Sequence, residues 1–438
     1  MKHNRTRLTL IEYGSYVDLS SEIASVMEVD LVKANSILLQ AGDRVASSLG
    51  LRDNPIKFDS KGVRAIKFSG LIRLSPLIEL EVAPKFLGSS DSTNWREDFF
   101  FLSTLSRHGR LLYSERLSSS GGAPRDLSTL VARSIVTMYE AQKRRPLRRY
   151  RRTTETGFFI DGDPDPIDLI IPSSDGFEQE VIKFDLMNHW NADIVAAARE
   201  LLLEIRDPSV ISSLVRLIQE LSPQNHPSSH RKAIPARHKS WKPLHELCLD
   251  VLAGLGLTYK QGINHAPGYL VSTWQVWEDL LKAATQLSFG RMGVSSQKGF
   301  PLGSRTKIHT GKTTKLSVYP DFVIEASDLT PRILLDAKYK GHIEKGEIRI
   351  SEADIYESLA FSKAADCNLV VLAYPAQPDR GIQPVGICTV FERIQIDNIQ
   401  IIGIQVEVRG ISKRGGLSLF SHNMKASLLS NILSPKSN

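Results

Sequence analysis

The chain has 438 residues, 42% of them hydrophobic and 24% charged, which describes an ordinary globular protein of two or three domains and excludes wholesale disorder. Its formal net charge of +7 favours a polyanionic partner, without separating DNA, RNA and an anionic surface. No run approaches the roughly 18 consecutive apolar residues that would span a bilayer, and the polar start MKHNRTRLTL lacks a signal peptide's apolar core, so a cytoplasmic protein with no membrane role is expected.

From Leu8 to about Leu87 short alternating runs such as TRLTLIEY and RAIKFSGLIRLSPLIELEVAPKF, broken by Gly and Pro, predict a β-rich domain with one helix near LVKANSILLQAG. The polar break GSSDSTNW then leads into an apolar helix and the loop SSSGGAPRD, which sets a first boundary near residue 110. Helical spacing returns in LSTLVARSIVTMYEAQ, ADIVAAARELLLEI and SVISSLVRLIQEL, so residues 111–235 read as a helical middle region. Its loops are expected to carry KRRPLRRYRR, with seven Arg or Lys in ten residues. Arg144, Arg145, Arg148, Arg149 and Arg151 in that run are candidate contacts to a phosphate backbone or an acidic partner, against the ordinary alternative of a solvated charge run. The segment SPQNHPSSHRKAIPARHKS reads as a linker.

Residues 236–438 then alternate helices (KPLHELCLDVLAG, QVWEDLLKAATQL, SEADIYESLAFSKAA) with strands (GYLVST, LSVYPDFVIEA, RILLDAKYK, NLVVLAYP), an α/β pattern. The unbroken apolar run NLVVLAY suits a strand covered on both faces. The fold class expected is therefore multidomain α+β: a β-rich N-terminal domain, a helical middle and a C-terminal α/β core with a mixed sheet. Cys248, Cys367 and Cys388 form no C-x-x-C pair, the histidines show no metal-ligand spacing, and there is no G-x-x-x-x-G-K-[ST] phosphate loop.

The chemistry concentrates in the last third. In RILLDAKYK a strand would put Asp336 and Lys338 on one face and Leu335 and Ala337 on the other. The preceding run places Asp321 after Pro320, and the short turn SDLTPR lets the two strands pair, bringing Asp321 to Asp336. Two carboxylates so close repel unless a cation lies between them, and hard oxygen ligands suit Mg²⁺, with Mn²⁺ as a substitute. Such a metal activates water and offsets charge on a phosphate oxygen, while Lys338 could position that water, which together make a site able to hydrolyse a phosphodiester. Glu278, on QVWEDLLKAATQL near the face expected to be buried, is a third candidate ligand, while Asp279 should point outward. Glu357 and Lys340 are candidate supporting residues, and Asp354, three residues after Ser351, reads first as half of a capping box. Taken singly each residue has a bland reading as a strand-end charge, turn or cap; the order in which they occur favours the site.

PDFVIE, LLDAKYK, DIYESLAFSKAADCNLVVLAYP and YLVSTWQVWEDLL resemble the nuclease core of the McrC family, within the PD-(D/E)xK superfamily. IELEVAPKF, RPLRRYRRTTE and FDLMNHWNADIVAAARELL resemble its upstream regions. The family often has Gln where this chain has Glu357. The resemblance implies a Mg²⁺-dependent endodeoxyribonuclease with Asp321, Asp336 and Lys338 as catalytic residues and Glu278 supporting the metal. It also implies a partner, a ring of a McrB-like AAA+ GTPase or ATPase contacted by the N-terminal and middle regions, and a role in restriction of foreign DNA. Two other functions compete: a non-catalytic adaptor that binds DNA and activates the NTPase ring, and a stand-alone repair or recombination nuclease.

Overall fold

A computed structural model describes residues 6–75, 77–88, 95–108, 127–171, 174–203, 205, 207–221, 233–252, 270–325, 331–344, 347–378, 381 and 383–431. The loop SSSGGAPRD, most of SPQNHPSSHRKAIPARHKS and most of the turn SDLTPR lie outside the described residues. The protein is a mixed α/β molecule of two compact units, Met1–Leu127 with Gly256–Asn438, and Ser128–Leu255. The sequence suggests consecutive segments 1–110, 111–235 and 236–438; in space the first and last share a unit, because the strand Leu270–Val271 completes the N-terminal sheet.

That sheet runs Thr6–Ile11, Ile78–Ala83, Ser69–Arg73, Leu270–Val271, the first pair parallel and the others antiparallel. It carries more helix than its alternating sequence suggests. Leu19–Met27 and Leu31–Leu49 are both helical, begun by Asp18 and Asp30, whose carboxylates accept from the Ser21 and Lys33 amides at 3.1 and 2.6 Å. The second ends at Gly50, whose φ of 64° is the left-handed conformation of a helix C-cap. Leu38, Ala41 and Val45 of that helix join Leu8, Leu80 and Val82 of the sheet in one core.

The larger sheet has six strands in the order Val294–Ser296, Phe322–Glu325, Pro331–Ala337, Leu369–Pro375, Ile399–Val406, Cys388–Ile396. It is mixed: Pro331–Ala337, Leu369–Pro375 and Ile399–Val406 run parallel, flanked by antiparallel neighbours. A parallel pair needs a crossover, and the helix Glu352–Ala365 supplies it. Phe361 and Ala365 of this helix pack on Val323, Leu334, Val370 and Leu372, so those strand positions face it. Leu369–Pro375 is buried along nearly its whole length, as NLVVLAY suggests.

The second unit departs from an all-helical expectation. Helices Leu127–Gln142, His189–Leu202 and Pro208–Leu221 are present, and between the first two stands a three-stranded antiparallel sheet of Arg149–Gly157, Phe177–Asp185 and Asp163–Pro164. The second half of KRRPLRRYRR is therefore strand rather than loop, since Tyr150, Thr153 and Thr154 suit a pleated ribbon. Helix Lys242–Leu252, read from sequence as opening the last domain, packs on His189–Leu202, where His245 Nε2 and Asp193 Oδ2 lie 2.9 Å apart and both side chains are buried. The three cysteines are buried free thiols.

Candidate active site

Pairing of Phe322–Glu325 with Pro331–Ala337 sets Phe322 opposite Leu335, so Asp321 and Asp336 meet one position further along. Asp336 alternates with Leu334 and so points to the side of the helix Glu352–Ala365. One Asp321 oxygen accepts from the Ala337 amide at 2.9 Å and the other from the Gln297 amide group at 2.8 Å. Gln297 sits at φ 52°, held by its own N–H to the Asp321 carbonyl at 3.0 Å. The charge of Asp321 acts on Asp336 and is one of the causes that raise its pKa.

Asp336 is 5% exposed. Burial, together with the neighbouring charges of Asp321 and Glu357, pushes its carboxyl up to about 6, against the pull of Lys338. Asp321 is likewise raised by burial and by the charge of Glu278, with the Ala337 N–H working the other way. Glu278, half-buried on the helix Thr273–Phe289, is raised by burial and by Asp279 and Asp336. Three carboxyl groups therefore disfavour one another's ionisation. Among the described residues no three His, Cys, Asp or Glu side chains stand gathered as a ready metal cage. The acidic core is the Asp321–Asp336 pair, with Glu278 making itself felt by charge.

Lys338 lies just past the strand end, with Nζ 2.7 Å from Asp336, 3.2 Å from Asp354 and 2.6 Å from Glu357. Burial alone would lower its pKa, but the carboxylates around it win and hold it above the ordinary lysine value. Asp354 does form the cap read from sequence, its amide donating to Ser351 Oγ at 3.2 Å, and it also serves Lys338. Asp279 is half-buried rather than outward, accepting the Ser106 hydroxyl, because the helix Trp95–His108 packs on that side. Lys340 turns elsewhere, over the Tyr13 ring at 5.0 Å.

A second buried polar cluster was not read from sequence. Glu12, fully buried, accepts hydrogen bonds from the hydroxyls of Thr273 and Tyr339. Lys85 Nζ donates to the Tyr339 carbonyl at 2.5 Å and lies 4.4 Å from the centre of that ring. Burial raises Glu12 to about 7 and lowers Lys85 to about 8. The cluster ties the N-terminal sheet to the residue next to Lys338. The available signal was Glu12 directly after an apolar strand and Lys85 in the run IELEVAPKF.

In the second unit Arg144, Arg145, Arg148 and Arg149 are exposed, while the Arg151 side chain lies outside the described residues. Tyr150 is partly engaged, beneath the Arg237 guanidinium at 4.1 Å. Large apolar side chains are also exposed here: Phe159 by 81%, Ile170 by 80% and Ile171 by 72%. None of the described helices is long and apolar enough to cross a membrane.

The family model described as the McrBC 5-methylcytosine restriction system component matches residues 63–375. No curated protein sequence matches the chain. In fold it is similar to a chain in a refined half-complex from a tetradecameric assembly of Thermococcus gammatolerans McrB AAA+ hexamers with bound McrC. The TM-score is 0.68 at 14% identity, over 96% of this chain and 100% of that one. A chain of the cryo-EM structure of the Thermococcus gammatolerans McrBC complex matches at TM-score 0.45 and 15% identity, over 63% of this chain and 86% of that one.

Proposed function

The chain belongs to the family of McrBC 5-methylcytosine restriction system components, and on that premise we propose that it is the nuclease subunit of such a system. It would be a PD-(D/E)xK-type, Mg²⁺-dependent endodeoxyribonuclease acting in the cytoplasm against foreign DNA. The observation that carries this reading is the convergence of Asp321, Asp336 and Lys338 at one end of the six-stranded sheet.

The donor set fits a hard divalent cation. Asp321 and Asp336 would hold it, with Glu278 alongside, and the burial and mutual repulsion that raise all three pKa values are what a cation would relieve. Bound there, Mg²⁺ or Mn²⁺ supplies an acidified water and charge neutralisation at a phosphate oxygen. The chain's own residues do the positioning. Ala337 N–H and Gln297 fix the two oxygens of Asp321, and Glu357 and Asp354 hold Lys338 beside Asp336, where its ammonium can hydrogen-bond a nucleophilic water and offset developing charge. Glu357 acts through Lys338 as a positioning residue.

The bound McrC of the structural relative sits with McrB AAA+ hexamers. The corresponding role here is docking on, and stimulating, a AAA+ GTPase or ATPase ring. The exposed Phe159, Ile170 and Ile171, at the end of the second unit's sheet away from Arg149, support it, since exposed large apolar side chains grouped together mark an interaction surface. A non-catalytic adaptor is the second reading, favoured by the lack of a ready three-ligand cage among the described residues.

The test is cleavage of plasmid carrying 5-methylcytosine by the full chain with its ring partner, Mg²⁺ and GTP or ATP, comparing wild type with Asp336→Ala and Lys338→Ala. Nucleotide-dependent cleavage lost in both variants, with nucleotide hydrolysis still stimulated, is the expected result. Stimulated hydrolysis with no cleavage by any of the three would put the adaptor reading in its place.

A further inference from the structure

From Leu280 to Pro320 the chain carries no Asp or Glu, and at the centre of this stretch lies an isolated two-stranded antiparallel ribbon, Phe300–Thr306 with Thr313–Val318. Such a ribbon has no core of its own and is marginal unless something backs it. Its base has that backing: Phe300 and Val318 pack on the core shared with the helix Glu352–Ala365, the helix that carries Asp354 and Glu357. Its outer part does not, for residues 303–316 are all exposed. At about 3.4 Å per residue the outer arm extends roughly 20 Å from that base. It turns at Gly311, whose φ is 63°, with the Lys307 amide donating to the Lys312 carbonyl at 3.0 Å.

The side chains sort by face. Directly opposed residues of an antiparallel pair lie on the same side, and Arg305 opposes Thr314 while Lys307 opposes Lys312. Arg305, Lys307 and Lys312 therefore share one face, and Lys315, opposite Ser304, lies on the other. Among the described residues none of these four cations has an acidic partner. Unlike charges gathered for stability, which would be interleaved with carboxylates, they form a one-sign stripe pointed at solvent. The strand that returns from the tip runs from Val318 through Tyr319 and Pro320 directly into Asp321.

We propose that this ribbon is the duplex-gripping arm of the nuclease, its Arg305, Lys307 and Lys312 face binding phosphates of the DNA backbone beside the bond presented to Asp321 and Asp336. Charge complementarity selects the occupant: a stripe of unpaired cations suits a regular polyanion, and a two-stranded ribbon has the width to enter a major groove. The inference rests on the nuclease reading above, but its test measures binding, so the two can fail separately.

The experiment is fluorescence anisotropy of the full chain with a nonspecific duplex oligonucleotide, in EDTA, across a salt series. Each phosphate contact contributes about −0.9 to the slope of log affinity against log salt, so losing three should flatten it by about 2.7. The variant is Arg305→Ser/Lys307→Ser/Lys312→Ser, chosen because Ser keeps the ribbon polar and leaves the base untouched, with a thermal melt to verify folding. The expected result is an affinity at least about tenfold weaker at moderate salt together with the flatter slope, and a much smaller effect for Lys315→Ser on the other face. Wild-type affinity and slope in the folded triple variant would overturn the proposal. So would unchanged DNA binding combined with lost stimulation of the partner's nucleotide hydrolysis, since the ribbon would then face an acidic protein surface. Failure of Asp336→Ala to abolish cleavage would refute the nuclease reading while leaving the binding result to stand or fall by itself.

Discussion

Replacing Glu12 with Gln should alter the pH dependence of stability in a calculable direction. Glu12 is fully buried and its pKa is raised from 4.5 to about 7, so between those values the folded protein holds a proton that the unfolded chain has released. A group of this kind makes folding less favourable as pH rises, with no cost below about 4.5 and the full cost above about 7. At 1.36 kcal/mol per pKa unit, the shift corresponds to about 3 kcal/mol. The Gln amide keeps hydrogen-bonding capacity toward the Thr273 and Tyr339 hydroxyls, which can each donate or accept. It forfeits attraction to Lys85, whose charge already costs something in its buried place. The net gain above pH 7 should therefore be about 1–2 kcal/mol rather than the full amount. Denaturant titrations of wild type and Glu12→Gln from pH 4.5 to 8 give the difference curve, in which other titrating groups largely cancel. It should rise in favour of Gln through that window. A flat difference, or one that falls as pH rises, would refute the reasoning.

Two further outcomes follow from the same unit. Lys338→Met should leave Asp336, Asp354 and Glu357 without their shared ammonium and cost about 3 kcal/mol, the lower end for breaking a buried ion pair, seen as a lower urea midpoint near neutral pH that recovers as Asp336, whose carboxyl is raised to about 6, takes up a proton. A midpoint unchanged at neutral pH would show that the lysine does not hold this acidic cluster together. Gly386→Ala should cost more than about 2 kcal/mol by thermal melt, because φ is 83° and the new Cβ would fall 2.3 Å from the Phe420 carbonyl oxygen, a backbone atom that cannot swing aside. A melting temperature equal to wild type would mean that the turn and the helix Gly416–Asn431 can move apart freely.

How much of this was legible depends on how local each cause is. Asp336 and Lys338 could be placed side by side because strand alternation is set by two neighbouring peptide units, and their 2.7 Å contact agrees with it. Asp321 required only a short turn between two apolar strands. The helices from Leu19 to Leu49 were under-read because alternation dominates the flanking sequence, yet Asp18, Asp30 and Gly50 carried the cap signals. The sheet of the second unit was missed because its strands are amphipathic and charged, without the apolar runs that mark a core. Long-range relations left no trace: Glu12 and Tyr339 are 327 residues apart, and Gln297 reaches Asp321 only through the pairing of Val294–Ser296 with Phe322–Glu325. The allegiance of Lys242–Leu252 is of the same kind, since an amphipathic helix does not state which core it will cover.

Charge accounting separates the candidate site from three of the unit's other buried acids, Glu81, Glu407 and Asp98. Glu81, fully buried, is matched by Arg96 at 2.7 Å and Arg7 at 3.6 Å, and Glu407 by Arg409 at 2.5 Å. Asp98 takes the Gly410 and Ser412 amides and the Ser412 hydroxyl. Around Asp336 the ratio reverses, for Asp336, Asp354 and Glu357 share Lys338 while Asp321 and Glu278 add further negative charge. A stable core would not leave such an imbalance at a strand end, where raised carboxyl pKa values record its cost. Protons can correct it at low pH and a divalent cation at neutral pH. The same reasoning assigns the acid-free stretch from Leu280 to Pro320 a matching part, as the cationic surface that would bring a polyanion to a site whose own field repels it.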